Sequence, residues 1–171
     1  QSPIGANRLI YLPYLMGERS PLLDSSARGA FIGLSAMHTR KDLLRAVMEG
    51  VVYSQRQNLD VLRGMNVAPQ TMLACGGGAK SPFWRQMMAD VFGMPVQTLE
   101  NAEGPALGAA ILAGVAAGLY TDIPTACQRL VKAREPQLPH TARSAAYEPY
   151  YQLYRNLYPA LKDSYATLAA L

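Results

Sequence analysis

The amino-acid sequence predicts an α/β fold with a parallel β-α-β unit and flanking helices. Two apolar segments of strand length, residues 71–75 and 94–99, are each followed by a turn containing glycine and then by a helical pattern. Such alternation is typical of parallel strands joined by right-handed crossovers. Half of the 171 residues are apolar and 16% are charged, which favours a chain with a proper core and argues against disorder.

Residues 1–40 are predicted to form entry loops with short strand segments. An apolar stretch spans residues 9–15, a loop rich in glycine and proline follows, and residues 30–34 have the composition of a short strand. The chain begins with Gln1 and not with an initiator methionine. We therefore expect it to be a piece of a longer protein.

Residues 41–120 are predicted to hold a long helix followed by a β-α-β-α core. Thr39 is a good N-cap for a helix over 41–63, and Gly64 provides its stop. The small residues Gly50 and Ser54 on or beside the apolar face suggest close approach to a neighbouring element. Further along, Ser81 caps a helix that starts at Pro82. The last helix of this region begins at residue 104 and ends near residue 118.

The remaining part of the chain is predicted to be a surface loop over 133–146 and a C-terminal helix over 148–169. The helix carries five tyrosines at amphipathic spacing, which is more typical of packing than of ligand binding. Two strands are too few for a freestanding sheet, so its edges need missing strands or a partner chain. A homodimer is one way to cover them.

Composition and charge argue against several classes of function. The net charge of +4 is spread out, and its densest cluster (Arg40, Lys41 and Arg45) has no interleaved aromatic residues, so we expect no nucleic-acid partner. The most apolar run, residues 106–120, is shorter than a membrane span, so we expect no membrane insertion. Cys75 and Cys127 lack zinc-site spacing, which indicates a reducing, cytoplasmic compartment. Cys75 closes the first strand and is expected to be buried.

The three glycines at residues 76–78 form the most informative turn. Glycine between a strand and a helix lets a ligand touch the backbone, since no Cβ is in the way. The following helix points its free N–H groups and its positive dipole end into the same space. The turn is therefore either a nucleotide-binding turn or a tight turn that brings helix and strand together, and the sequence pattern alone leaves both open.

Four segments together resemble the FGGY family of carbohydrate kinases. GAFIGLSAMHTRKDLLRAVMEG (residues 29–50) resembles the second signature of that family at every position of its pattern. PYLMGERSP (13–21) and GGGAKSPFWRQMMADVFG (76–93) resemble the xylulose kinase branch in particular, and EGPALGAAILAG (103–114) completes the set. The four segments occur in the family's order and span nearly the whole chain.

The resemblance implies a fold and a site. It places residues 1–171 in a single domain, as the later part of the second ribonuclease H-like domain of an actin-like ATPase fold. It implies that the glycine turn forms one wall of the adenosine site, with the cofactor-binding residues Gly76, Gly77, Gly78, Ala79, Lys80 and Ser81. It also implies that the helix after Gly104 is the interdomain hinge, although its alanines and glycines are equally typical of ordinary tight packing. Some relatives have an asparagine after the turn, where this chain has Ser81-Pro82-Phe83.

The resemblance further implies a whole protein that transfers phosphate from ATP, with Mg²⁺, to D-xylulose or a close ketose. Such transfer needs a carboxylate base and phosphate-binding loops. The chain contains no Asp-x-Gly and no Gly-Thr pair, so we assign no catalytic and no metal-binding residue and expect this piece alone to be inactive. Glu18 and Arg19 form a charged pair in a predicted loop, where they either contact a ligand directly or form a local salt bridge. Two alternatives remain open: a kinase for glycerol, gluconate, ribulose or rhamnulose, and a non-catalytic binding or assembly module of the same fold.

Overall fold

The computed structural model describes residues 2–100 and 104–171. These residues form two compact units. The first consists of the chain up to Ala68 together with Asp90–Gly93 and Pro139–Leu171, and the second consists of Pro69–Ala89 and the described part of Met94–Leu138. The assignment of 1–171 to a single domain stays a prediction. The predicted class is confirmed, because the chain combines α-helices with a parallel strand pair.

The first unit begins with a small antiparallel hairpin. β1 (Ile10–Leu12) pairs with β2 (Ala30–Ile32), and Tyr11 lies opposite Phe31 with 4.6 Å between ring centroids. Both strands fall inside the apolar stretches that predicted them.

The long helix α1 (Arg40–Gly64) confirms the predicted helix to within a residue at each end. Thr39 precedes it, and the Asp42 carboxylate accepts hydrogen bonds from the Thr39 backbone N–H at 2.8 Å and from its hydroxyl at 2.7 Å. A Cβ on Gly50 would stand 2.1 Å from the Tyr11 carbonyl oxygen. The glycine therefore lets α1 lie directly on β1, as its position on the apolar face predicted.

A buried polar network joins α1 to the N-terminal segment. The Arg45 Nε lies 2.6 Å from Oε1 of Glu49, and Glu49 is only 1% exposed. The same Glu49 oxygen accepts the Gly5 N–H at 3.2 Å, while Arg45 donates to the Ser2 carbonyl oxygen at 2.7 Å and to the Tyr147 hydroxyl at 2.9 Å. Burial raises the pKa of Glu49, and the Arg45 guanidinium opposes that rise.

The C-terminal helix, which we call helix C, spans Thr141–Ala170 and packs on α1. The ring of Tyr53 contacts the buried rings of Tyr147, Tyr151 and Tyr154 at centroid distances of 6.4, 6.0 and 5.4 Å. Burial raises the pKa of Tyr14 to about 12, and its hydroxyl donates to that of Tyr154 at 3.1 Å. The tyrosines are thus packing groups, as predicted.

Helix C starts seven residues before the predicted position. Proline is favoured in a first helical turn, so Pro149 points to a start near residue 148. In the structure Pro149 lies inside the helix, whose first turn is instead anchored by buried Asp90: its Oδ1 accepts the His140 N–H at 2.9 Å, and its Oδ2 lies 2.7 Å from Nε of Arg143. Residues 141–146 are therefore helical, and the predicted loop was wrong there.

The second unit holds the parallel pair. β3 (Met72–Ala74) pairs with β4 (Val96–Thr98), Leu73 lies opposite Gln97, and the helix that starts at Pro82 (Pro82–Phe92, helix A) follows β3 as predicted. A helix over Gly104–Ala116 (helix B) follows β4. Glu103, the first residue of the fourth family segment, lies outside the described residues.

Two features of this unit were not predicted. A short helix spans Ile123–Leu130, and the Asp122 carboxylate caps it by accepting the Thr125 N–H at 2.7 Å. In addition, part of the predicted surface loop pairs with β4, since the Gln137 and Val96 backbones exchange hydrogen bonds of 2.8 and 3.0 Å. These are isolated bridges, and residues 133–138 otherwise form a largely exposed segment without strand structure, in keeping with the predicted surface loop. None of the helices described here is long and apolar enough to cross a membrane.

Candidate functional site

A cavity of about 300 Å³ lies at the carboxyl ends of the parallel strands in the second unit. Ala74 and Cys75 line it where β3 ends, and Thr98 and Leu99 line it where β4 ends. Side chains at this edge of a parallel sheet converge on a crevice, which is where ligands generally bind in open α/β folds. The cavity is therefore the candidate site of this unit.

The three glycines of the turn have three different environments. Gly76 has φ +81°, a left-handed conformation that favours glycine. Gly77 has ordinary helical angles, φ −62° and ψ −40°, and a Cβ there would meet no atom of the described chain within 4 Å. A Cβ on Gly78 would stand 2.4 Å from the Trp84 ring. Gly76 is thus needed for the left-handed backbone of the turn, and Gly78 is needed for close packing against Trp84. Neither reason applies to Gly77, whose missing side chain simply leaves open space.

The structure brings three of the six predicted residues to the cavity wall. Gly76, Ala79 and Lys80 line it, the last two from a single 3₁₀ turn over Gly78–Lys80. Ser81 instead caps helix A, accepting the Trp84 N–H at 3.3 Å. The assignment of all six residues to an adenosine wall stays a prediction.

Charged side chains complete the cavity wall. Lys80, Arg85 and Arg134 line it together with one carboxylate, Glu100, so the wall carries two more positive than negative charges. The Arg85 Nη1 donates to the Ala79 carbonyl oxygen at 2.7 Å and so holds the guanidinium against the turn. This surplus of positive charge suits an anionic ligand.

Sequence reasoning missed both arginines. Arg85 could have been found, because it stands in the first turn of a helix whose start was predicted correctly. Arg134 belongs to the segment assigned to a loop, and it reaches the site because its backbone N–H donates to the Thr98 carbonyl oxygen at 2.8 Å. That pairing joins residues far apart in the chain and leaves no local pattern.

Cys75 corrects another prediction. It is exposed, not buried, because β3 ends at Ala74 and Cys75 already belongs to the turn.

Within residues 2–100 and 104–171, no three His, Cys, Asp or Glu side chains are grouped to hold a metal ion. The loop pair Glu18 and Arg19 lines a separate cavity of about 360 Å³ in the first unit, where Glu18 accepts the Ser20 N–H at 3.0 Å.

Comparison with known proteins identifies the family. Residues 2–117 match the model of the FGGY family of carbohydrate kinases, C-terminal domain, and the chain therefore belongs to that family. The resemblance seen in the four sequence segments is confirmed.

Individual relatives agree with this result. The chain is 40% identical to the xylulose kinase of Bacillus subtilis (strain 168) over 161 residues, which are 94% of the chain and 32% of the relative. The crystal structure of ligand-bound xylulose kinase from Lactobacillus acidophilus superposes with a TM-score of 0.89 at 35% identity, and that of gluconate kinase from the same organism with 0.88 at 35%. Each match covers 98% of this chain and 34% of the solved chain.

The chain thus spans about a third of the length of the relatives it matches. The structural neighbours are FGGY kinases, so the prediction of a partial ribonuclease H-like domain of the actin-like ATPase fold is confirmed.

Proposed function

We propose that the chain is the C-terminal portion of an ATP-dependent sugar kinase that converts D-xylulose and ATP into D-xylulose 5-phosphate and ADP. Within that enzyme it contributes the adenosine-binding wall and the interdomain hinge. The observation that carries the proposal is the cavity at the carboxyl ends of β3 and β4, bordered by a glycine turn. The similarity to proteins named xylulose kinase supports the choice of sugar.

The turn fits a nucleotide for a physical reason. A purine ring needs a flat, uncrowded backbone to lie on, and the space beside Gly76 and Gly77 is free of described atoms within 4 Å of an added Cβ. The positive side chains of Lys80, Arg85 and Arg134 suit the phosphate-bearing end of the ligand. Contacts of this kind bind and orient ATP; they do not move protons.

The proton-transfer and metal-binding parts of the reaction belong to the rest of the protein. ATP supplies the phosphoryl group, and Mg²⁺ would screen its charge. The sequence contains no Asp-x-Gly and no Gly-Thr pair, so the base and the phosphate loops lie outside this chain. The 171-residue chain by itself is therefore inactive, and a coupled assay of it should show no ketose-dependent release of ADP.

The hinge role is assigned to helix B. Its small residues Ala106, Gly108, Ala109 and Ala110 are partly or fully exposed in the described structure, so a second helix could approach its backbone closely. A contact between small residues can slide or rock with little steric cost, which suits a domain that closes over its substrates.

The proposal includes a cellular setting. The partners are a small sugar and ATP, without nucleic acid or membrane, and the protein is cytoplasmic, in agreement with two cysteines that form no disulfide. A homodimer would cover sheet edges that are exposed in a piece of this size.

A second candidate sugar has direct support. The gluconate kinase structure matches this chain as well as the xylulose kinase structure does, at 35% identity in both. A panel of D-xylulose, gluconate, glycerol, ribulose and rhamnulose, assayed with the whole protein, decides between them.

Titration calorimetry of the whole protein with Mg·ADP, with Mg·GDP as the control, tests the nucleotide site. Adenine-selective binding supports the proposal. Equal binding or none contradicts the adenosine wall, and phosphorylation of no sugar in the panel would favour a binding or assembly module of the same fold.

A further inference from the structure

A second cavity, of about 460 Å³, lies in the first unit and shares no residue with the candidate nucleotide site. Asn7 and Arg8 form one wall, and Gly33, Ser35, Met37 and His38 form the other. No carboxylate is among these lining residues. The cavity therefore combines room for a small metabolite with a wall that carries a positive charge.

The first wall is a strained piece of backbone. Ala6, Asn7 and Arg8 have φ values of +47°, +57° and +73°, and a left-handed conformation costs a non-glycine residue roughly 1–2 kcal/mol. Buried carboxylates hold this turn in place, since Asp42 accepts from Nδ2 of Asn7 at 2.8 Å and Glu49 accepts the Gly5 N–H. Arg8 is thus presented at the cavity from a fixed backbone.

The second wall is held equally firmly. The His38 Nε2 bonds the Asn7 carbonyl oxygen at 3.1 Å, and its Nδ1 accepts the Ser35 backbone N–H at 2.9 Å. Because the one lone pair of Nδ1 is engaged by that N–H, the Ser35 hydroxyl, 3.1 Å away, can donate its proton to a ligand instead. Gly33 lets this loop approach, since a Cβ there would stand 2.5 Å from the Arg8 carbonyl oxygen.

Arg8 supplies the positive charge of this cavity. Its side chain is exposed, and within the described part of the chain its guanidinium has no hydrogen bond or ion pair. The neighbouring carboxylate of Asp42 is buried and accepts four hydrogen bonds, from Ser2, Asn7 and twice from Thr39. A guanidinium offers five donors in a planar fork that matches phosphate oxygens.

We propose that this cavity binds the phosphate group of a small phosphorylated metabolite. The Arg8 guanidinium binds two phosphate oxygens, the Ser35 hydroxyl donates to a third, and the remaining volume holds the body of the molecule. Phosphate is favoured over an uncharged ligand because the cavity presents a full positive charge and a hydroxyl that can donate, with no carboxylate among its lining residues.

Calorimetry of the whole protein, with saturating Mg·ADP and D-xylulose present, tests this site. The two probes are inorganic phosphate and D-ribose 5-phosphate, and we expect the sugar phosphate to bind more tightly because it fills more of the cavity. Arg8→Met, which keeps the length of the side chain, should weaken D-ribose 5-phosphate binding at least tenfold. Arg40→Met removes the same charge from an exposed residue that does not line the cavity, and it should change binding less than twofold.

Arg8→Lys keeps the charge without the planar fork and should give an intermediate affinity. Equal losses in Arg8→Met and Arg40→Met would attribute binding to general surface charge and overturn the proposal. The absence of sugar-phosphate binding in the unmodified protein, or tighter binding of inorganic phosphate, would overturn it as well. Because both arginine side chains are exposed, these variants should fold, and thermal unfolding checks this point.

Discussion

Gly77 follows the cavity-lining Gly76 in the glycine turn and offers the cleanest test of the proposed nucleotide wall. An alanine at Gly76 would be strained at φ +81°, and one at Gly78 would collide with Trp84, so a loss of binding in either variant would have two explanations. Gly77 has helical angles and free space around its missing Cβ. A Cβ at Gly77 needs neither a left-handed backbone nor the displacement of a neighbour, so Gly77→Val mainly changes the surface offered to a ligand.

The size of the effect follows from the contacts that valine would prevent. A purine lying on the backbone at Gly77 makes on the order of ten atom pairs with it, at about 0.1–0.2 kcal/mol each. Losing them costs about 1–2 kcal/mol, or roughly a 5- to 30-fold rise in the KM for ATP. We expect little loss in the free energy of unfolding, because Gly→Ala at compatible backbone angles stabilises a protein by about 0.4–1 kcal/mol and valine adds only its two methyl groups to that change.

Steady-state kinetics of the whole protein with ATP and sugar varied in turn provide the assay, and urea unfolding provides the control. We expect the KM for ATP to rise and the KM for sugar to stay within twofold. An unchanged KM for ATP in a variant of normal stability would remove Gly77 from the nucleotide site.

Three further predictions concern stability. Gly50→Ala should lower the free energy of unfolding by about 1–3 kcal/mol, because its Cβ meets the Tyr11 carbonyl oxygen. Gly64→Ala on the same helix has free space and should not lower it. Equal free energies of unfolding in urea for the two variants would contradict the close packing at Gly50. Glu49→Gln should cost about 3–5 kcal/mol, since it leaves a buried arginine without its countercharge, and a loss below 1 kcal/mol by the same method would refute the buried pair. Hydrogen bonds, of which the one from Ser2 has the largest effect, hold the pKa of Asp42 below its ordinary 3.8. The carboxylate therefore stabilises the fold at neutral pH, and this contribution is lost as pH falls below about 4. Asp42→Asn should therefore be less stable at pH 7, with a difference that shrinks in acid; a difference independent of pH from 7 to 3 would exclude the carboxylate as its cause.

Most of the fold could be predicted because its signals are local. The first helix was found from its Thr39 cap and its glycine stop, and the parallel pair from two apolar segments separated by a capped helix. The Ile123–Leu130 helix was missed although Asp122 and Pro124 are a usable start signal.

The candidate site was predicted only in part. The glycine turn was recognised from the chain itself, and the structure places Gly76, Ala79 and Lys80 at the cavity. Arg85 was overlooked although its helix start was predicted, whereas Arg134 could not be anticipated, because it comes from a segment whose prolines conceal its pairing near β4. Charge at a cavity is a property of side chains that meet in space.

By itself, the sequence determined the order of the strands and helices, the glycine turn and the family, since each depends on residues close together in the chain. Only the tertiary structure decided which side chains meet. It places Arg134 and Lys80 in the wall of one cavity, and it fixes the turn that carries Arg8 at another cavity through hydrogen bonds to buried Asp42 and Glu49. It also anchors the start of the C-terminal helix on Asp90. Contacts between distant residues depend on packing and on buried polar groups finding partners, and neither leaves a pattern that local spacing can reveal.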